Sequence, residues 1–188
     1  MARYIIPLLI ERGWEVANHA WSNYRGRKMY IPVTLSDGTT SQYVMYPGGD
    51  TITGHDILAG HVEHFKADVL LAICDPWIAP PDLWRANHQA KLVFWFPCQA
   101  DPPGKELLDT TSVGDVALCY SQWGTEVMHQ AGALNVQYAP LGVDPSVYYP
   151  TDKAAAKALL SSRLDLDVTD RFIAVSYTHL RAHETPEH

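Results

Sequence analysis

Three runs of consecutive apolar residues, Val69 to Cys74, Leu92 to Phe96 and Val116 to Tyr120, constrain this chain more than any other feature. A strand that faces water on one side alternates polar with apolar residues, whereas an uninterrupted apolar strand is covered on both faces, as in a parallel sheet sandwiched between helices. Helical segments fall between the runs: Pro81 to Ala86, Gly104 to Leu108, and a stretch through Val127 to Gln130 that Ser121 is placed to cap. Asn135 to Ala139 reads as the next short strand. The alternation predicts an α/β chain, a three-layer Rossmann-like domain with a mostly parallel sheet.

The flanks add a less regular part. Ile5, Ile6, Leu8 and Leu9 lie at helical spacing and Arg12-Gly13 supplies a stop. Trp14 to Trp21 reads as a short strand, and the runs Tyr30 to Leu35 and Gln42 to Tyr46 flank Asp37-Gly38, a hairpin signal within residues 28–47. Thr53 with Asp56 resembles a capping box for a helix that ends near Lys66. Thr151 is positioned to cap an alanine-rich helix from Asp152 to Leu160, and Arg171 to Val175 reads as one further strand. A Rossmann-like domain normally opens with a strand and a glycine-rich turn, while this chain opens in a helix. The first strand is therefore expected to be missing, and no glycine fingerprint marks a phosphate loop.

Composition narrows the partners. At 188 residues and 47% hydrophobic content the chain suffices for one substantial core. A net charge of -7 without a Lys/Arg run disfavours nucleic acid, which is gripped mainly through cationic side chains. Cys74, Cys98 and Cys119 are odd in number and form no Cys-x-x-Cys pair, which reads as reduced, buried thiols in a cytoplasmic protein. No apolar stretch is long enough for a transmembrane span, and no signal peptide is visible.

Ligands of open parallel sheets bind beyond the carboxyl ends of the strands, which singles out the residues that follow each run. Asp75 has the chemistry to anchor sugar hydroxyls and Trp77 to stack on a pyranose face; a helix cap beside a core tryptophan is the alternative. The loop from Pro97 to Pro103 offers Gln99, which hydrogen-bonds without titrating, and Asp101, the nearest ionisable group; these two are the weak catalytic candidates. Ser121 and Trp123 complete the edge, with Ser121 read as a cap before a nucleophile. Gly48 and Gly49 permit close backbone approach of a ligand, or form a plain turn. His55, His61 and His64 cluster around Glu63 at spacings poor for a metal, and His19 and His129 stand alone without an assigned role, so no metal site is expected.

The segment Leu141 to Pro150, a Gly-Val-Asp followed by an aromatic and a proline, resembles the element by which two-domain glycosyltransferases of the GT-B fold leave their first domain. The order of the strand-end loops is similar to the first half of retaining GT-B enzymes of bacteria and phages, over roughly Ala2 to Val175. The resemblance implies an incomplete acceptor-side domain over 1–150, a linker helix and the start of a donor-binding domain over 151–175, and a hinge at Gly142, Val143 and Asp144. In that hinge a tight turn needs the glycine and a buried anchor, and Asp144 orders the turn through backbone hydrogen bonds. The implied reaction moves a sugar from a nucleotide-sugar donor to a hydroxyl acceptor, on a small molecule or a glycan, with retention and without metal or cofactor. Donor binding belongs mainly to the partner domain in cis, so the chain alone is expected to be inactive. Related transferases often place a histidine near Pro97, where this chain has Gln99 and Ala100. Val175 to Thr185 resembles a translated sequencing-library adapter, so 176–188 is expected to be a non-native tail whose histidines carry no function. The rival readings are a non-enzymatic α/β ligand-binding or sensor module and a nucleotide-sugar epimerase of the same architecture.

Overall fold

The structure, a computed structural model, describes residues 2–20, 24–51, 53–85 and 88–173. The chain divides into two compact units, 1–142 and 143–188.

In the first unit, α1 (Ala2–Glu11) leads into β1 (Ala17–His19), followed by the hairpin strands β2 (Met29–Thr34) and β3 (Thr40–Tyr46). The strand expected over Trp14 to Trp21 is confined to β1, and Trp21 lies outside the described residues. β1 runs parallel to β3 and β2 antiparallel to it, which gives a small mixed sheet in the order β1-β3-β2. Gly38, at φ 83, makes the hairpin turn that an L side chain would strain.

After α2 (His55–Phe65) come β4 (Val69–Ile73), a 3-10 turn (Pro76–Ile78), α3 (Pro81–Arg85), β5 (Lys91–Phe96), α4 (Lys105–Ser112), β6 (Val116–Cys119), α5 (Gln122–Gln130) and β7 (Val136–Tyr138). β4 to β7 form a parallel sheet in sequence order. The α/β Rossmann-like expectation holds.

Two faces of that sheet are covered unequally. Ala72, Leu92, Phe94, Phe96, Ala117 and Cys119 point to one face and join the buried core with Leu58 and Val62 of α2, Trp84 of α3, Leu107 of α4 and Met128 of α5. Each such large side chain contributes about 1.5–3 kcal/mol by leaving water. Val93 and Trp95, one residue out of phase, are only half-buried on the other face. At the amino ends of the strands Asp115 accepts from the Leu92 amide (2.8 Å) and from Lys91 (3.0 Å) and pairs with Arg85, which locks β5 to β6. Those partners, the Arg85 side chain first, hold its carboxyl well below the usual range.

Two caps differ from expectation. The residue before α2 is Gly54, left-handed at φ 67 and without a side-chain cap, because Thr53 bonds His55 instead and Asp56 turns back to Asp50 and Thr51. In the second unit Asp152, not Thr151, caps α6 (Lys153–Leu164), accepting from the Ala155 amide at 2.8 Å. Beyond α6, Lys157 donates to the Thr169 carbonyl and Val168 is buried against the Ser161 hydroxyl. Arg171 to Ile173 form no strand, and the rest of the strand expected there, with the tail 176–188, lies outside the described residues.

Candidate functional site

The register of the parallel sheet sets its carboxyl edge: Ile73 pairs with Trp95, Phe96 with Cys119 and Cys119 with Tyr138. The loops that leave these strands therefore follow one another along a single edge in the order Asp75, Pro97, Ser121. Asp75 begins the 3-10 turn in extended conformation, and its carboxylate makes no capping hydrogen bond, so it remains available. Trp77, two residues on, keeps 38% of its surface exposed, and Trp123 on the first turn of α5 keeps 49%. Gln99 and Asp101 are exposed beside the half-buried Pro97. Ser121, in contrast, is engaged: its Oγ accepts from the Gly124 amide at 3.0 Å as the cap of α5.

Beneath these loops the packing is tight. A Cβ on Gly124 would meet Cys119 Sγ at 2.7 Å and Cys98 Cβ at 2.8 Å, so glycine lets the start of α5 press on the ends of β5 and β6. Cys74, Cys98 and Cys119 are free and buried. Burial, with Asp75 nearby, pushes Cys74 up to about 12, which leaves it a thiol rather than a nucleophile. Burial and the same neighbours push Tyr120 up to about 12, and its hydroxyl donates to the Trp95 carbonyl at 3.0 Å.

Gly48 and Gly49 lie beyond β3, at the end of the other sheet. The space over Gly49 is taken by Asp56, whose Oδ1 would stand 2.1 Å from an added Cβ. Asp56 accepts from the Thr51 hydroxyl (2.7 Å) and the Asp50 amide (2.8 Å), contacts that lower it to about 2. The close approach that these glycines permit is made by a carboxylate of the chain itself. Gly48 donates its N–H to the Tyr24 carbonyl at 2.8 Å.

A cluster that spacing along the chain did not reveal sits beside this turn. His19, the last residue of β1, places Nδ1 3.0 Å from Nδ1 of His61 on α2, so one ring donates and the other accepts. Tyr46, the last residue of β3, stacks on His61 at 4.5 Å and shares a 2.7 Å hydrogen bond with Nδ1 of His64. Nε2 of His19 is buried and has no hydrogen-bond partner among the described residues. Burial lowers the pKa of His19; burial and the neighbouring imidazoles lower that of His61. The lowering favours the neutral form of both rings. Among the described residues no group of three or more His, Cys, Asp or Glu is placed to hold a metal ion. His129 bonds the Val136 carbonyl at 2.7 Å and is structural.

The chain matches no protein-family model, no curated protein and no solved structure.

At the unit boundary the Gly-Val-Asp segment is divided between Gly142 and Val143. Asp144 orders its own turn by accepting from the Ser146 amide (2.9 Å) and hydroxyl (2.6 Å). The buried anchor expected at Val143 is not found: the residue is 72% exposed, because the turn closes on polar contacts. Gly142 has open space around it and no positive φ. No helix among the described residues is long and apolar enough to cross a membrane.

Proposed function

We propose that this chain is the acceptor-side domain of a metal-independent, retaining glycosyltransferase of the GT-B type, and that it binds a hydroxyl-bearing sugar along the carboxyl edge of its parallel sheet. One observation carries the reading: Asp75, whose carboxylate makes no capping hydrogen bond, lies two residues before the exposed Trp77 at the end of a parallel strand. A carboxylate that accepts from vicinal hydroxyls next to an aromatic platform is the combination that a pyranose, polar at its rim and apolar on its face, selects. Trp123 extends the platform along the edge, and Gln99 adds a group that both donates and accepts. Binding of the nucleotide-sugar donor is assigned in this reading to a second domain of the same architecture. The chain by itself is then a binder, not a catalyst.

Saturation-transfer NMR with a panel of mono- and disaccharides tests the proposal on the full chain. A subset of sugars should receive saturation, and Trp77→Ala and Asp75→Asn should each remove it while the tryptophan emission of the folded state is retained. Sugars that fail to bind, or that bind both variants as well as the parent chain, refute it.

A further inference from the structure

A group of polar side chains that the sugar edge leaves unused lies where α2 meets the carboxyl ends of β1 and β3. His19 closes β1, Tyr46 closes β3, and His61 and His64 stand one turn apart on α2. Nδ1 of His19 and Nδ1 of His61 are 3.0 Å apart. The Tyr46 ring stacks on His61 at 4.5 Å, and its hydroxyl shares a 2.7 Å hydrogen bond with Nδ1 of His64. These contacts tie both strand ends to one helix. α2 is held as well by Leu58 and Val62, which are buried in the core of the parallel sheet.

A hydrogen bond between two Nδ1 atoms holds one proton, so one ring donates through Nδ1 and the other accepts. The neutral donor ring has a bare Nε2. The first proton added to the pair goes there, and the bond remains, now charge-assisted. A second proton finds only the bonding nitrogen of the acceptor ring. It removes the acceptor and leaves two imidazolium rings with centroids 5.1 Å apart, where like charges repel. Burial opposes charge on both rings; Asp56 favours it on His19, and His64 opposes it on His61. The stacked face of Tyr46 favours charge on His61, and His55 and Glu15 line the same cavity as the pair.

We propose that the His19–His61 pair is a latch that counts protons: it holds the ends of β1 and β3 on α2 with one added proton and releases them with two. A single buried histidine behaves differently, since it lets go at its first proton. Ordinary acid unfolding differs as well, because here the parallel sheet keeps its own core while the small sheet loses its polar ties to α2. A metal ion bridging the two rings would need further ligands, and among the described residues no group of three His, Cys, Asp or Glu is placed to supply them.

Imidazole nitrogen NMR of the full chain, titrated from about pH 8 to about pH 4.5, tests the latch. The pair should titrate in two steps at least about one pH unit apart, each sensed by both rings. The contact between the Tyr46 and His64 rings, read as a nuclear Overhauser effect, should survive the first step and disappear in the second. The Tyr120 amide, bonded to the Phe96 carbonyl at 3.0 Å in the parallel sheet, should keep its protection against exchange throughout. His61→Asn puts an amide in place of Nδ1 that bonds His19 without taking a proton. His19 should then titrate in a single step, and the Tyr46–His64 contact should persist to the acid end. Loss of the contact in the first step, independent titration of the two rings, or a release in His61→Asn as complete as in the parent each overturns the proposal. If the variant does not fold, the coupling of the two steps in the parent chain decides alone. These readouts do not depend on sugar binding.

Discussion

Gly124→Ala and Gly60→Ala make opposite demands on the same fold. At Gly124 an added methyl would stand 2.7 Å from Cys119 Sγ, 2.8 Å from Cys98 Cβ and 2.9 Å from Ser121 Oγ, where ordinary contact begins at 3.4 Å. The start of α5 must retreat by about 0.7 Å from the ends of β5 and β6, and interiors packed like organic crystals have no slack for it. The retreat also pulls Val127 and Met128, 4% and 0% exposed, away from the core. Overpacking of this kind costs about 1–3 kcal/mol, and the loosened Ser121 cap adds a share of the ~1 kcal/mol that a cap contributes, so about 3 kcal/mol is expected. Gly60 lies on the exposed side of α2 with nothing within 4 Å of its would-be Cβ. Alanine there should stabilise by about 0.5–1 kcal/mol through helix propensity alone. All six tryptophans precede Gly142, so urea unfolding followed by tryptophan emission reports the first unit selectively. With an m-value of about 2 kcal/mol/M, the midpoint should fall by roughly 1.5 M for Gly124→Ala and rise by a few tenths for Gly60→Ala. Shifts of the same sign, or a Gly124→Ala loss below about 0.5 kcal/mol, would falsify the steric account.

Two pH dependences follow from the polar contacts. Asp56, lowered to about 2 by the Thr51 hydroxyl and the Asp50 amide, contributes stability that is present above its unfolded value near 4 and lost as pH falls toward 2. Asp56→Asn should therefore be less stable than the parent at pH 7 and show a flatter decline from pH 4 to 2 in urea titrations; a full parental slope in the variant excludes Asp56 as its source. His19 and His61 are lowered by burial, so their neutral forms favour the fold above about 6.5 and that contribution is lost as pH drops through the unfolded value and below it. His19→Gln should flatten the fall in stability between pH 7 and 5, read by the same emission assay, and an unchanged slope assigns the fall elsewhere.

The parallel sheet was legible because its signal is local. Each of Val69 to Cys74, Leu92 to Phe96 and Val116 to Tyr120 carries its own apolar run, and a short polar helix separates each from the next. Ser121 was legible for the same reason: a cap acts on the amide three residues ahead. The His19–His61 pair was not, because the two rings lie 42 residues apart and meet only when β1 adds beside β3 and α2 crosses their ends. A lone histidine at a strand end has no periodicity to reveal it. Thr53 failed as a cap through competition, since its hydroxyl had a nearer partner in His55 and the carboxylate of Asp56 was drawn to the glycine turn. Spacing alone does not rank such rivals; geometry does.

β4 shows how a local signal and a global position can disagree informatively. Its composition, Val-Leu-Leu-Ala-Ile, is that of a strand enclosed on both faces and paired on both sides, yet it ends its sheet. β7, at the opposite end, has the composition expected of an edge: Val136 is buried while Gln137 and Tyr138 face solvent. The two ends therefore differ in kind: burial follows the sequence at β7, whereas Val69 and Leu71 of the apolar β4 stay 39% and 37% exposed. If β4 were simply a tolerated edge, a lysine at Leu71 would cost little and relieve self-association. If Leu71 instead contributes packing along the cavity it lines, the same lysine lowers the urea midpoint. The asymmetry between β4 and β7 lies in their residues alone, an apolar edge at one end of the sheet and an edge with one buried valine at the other.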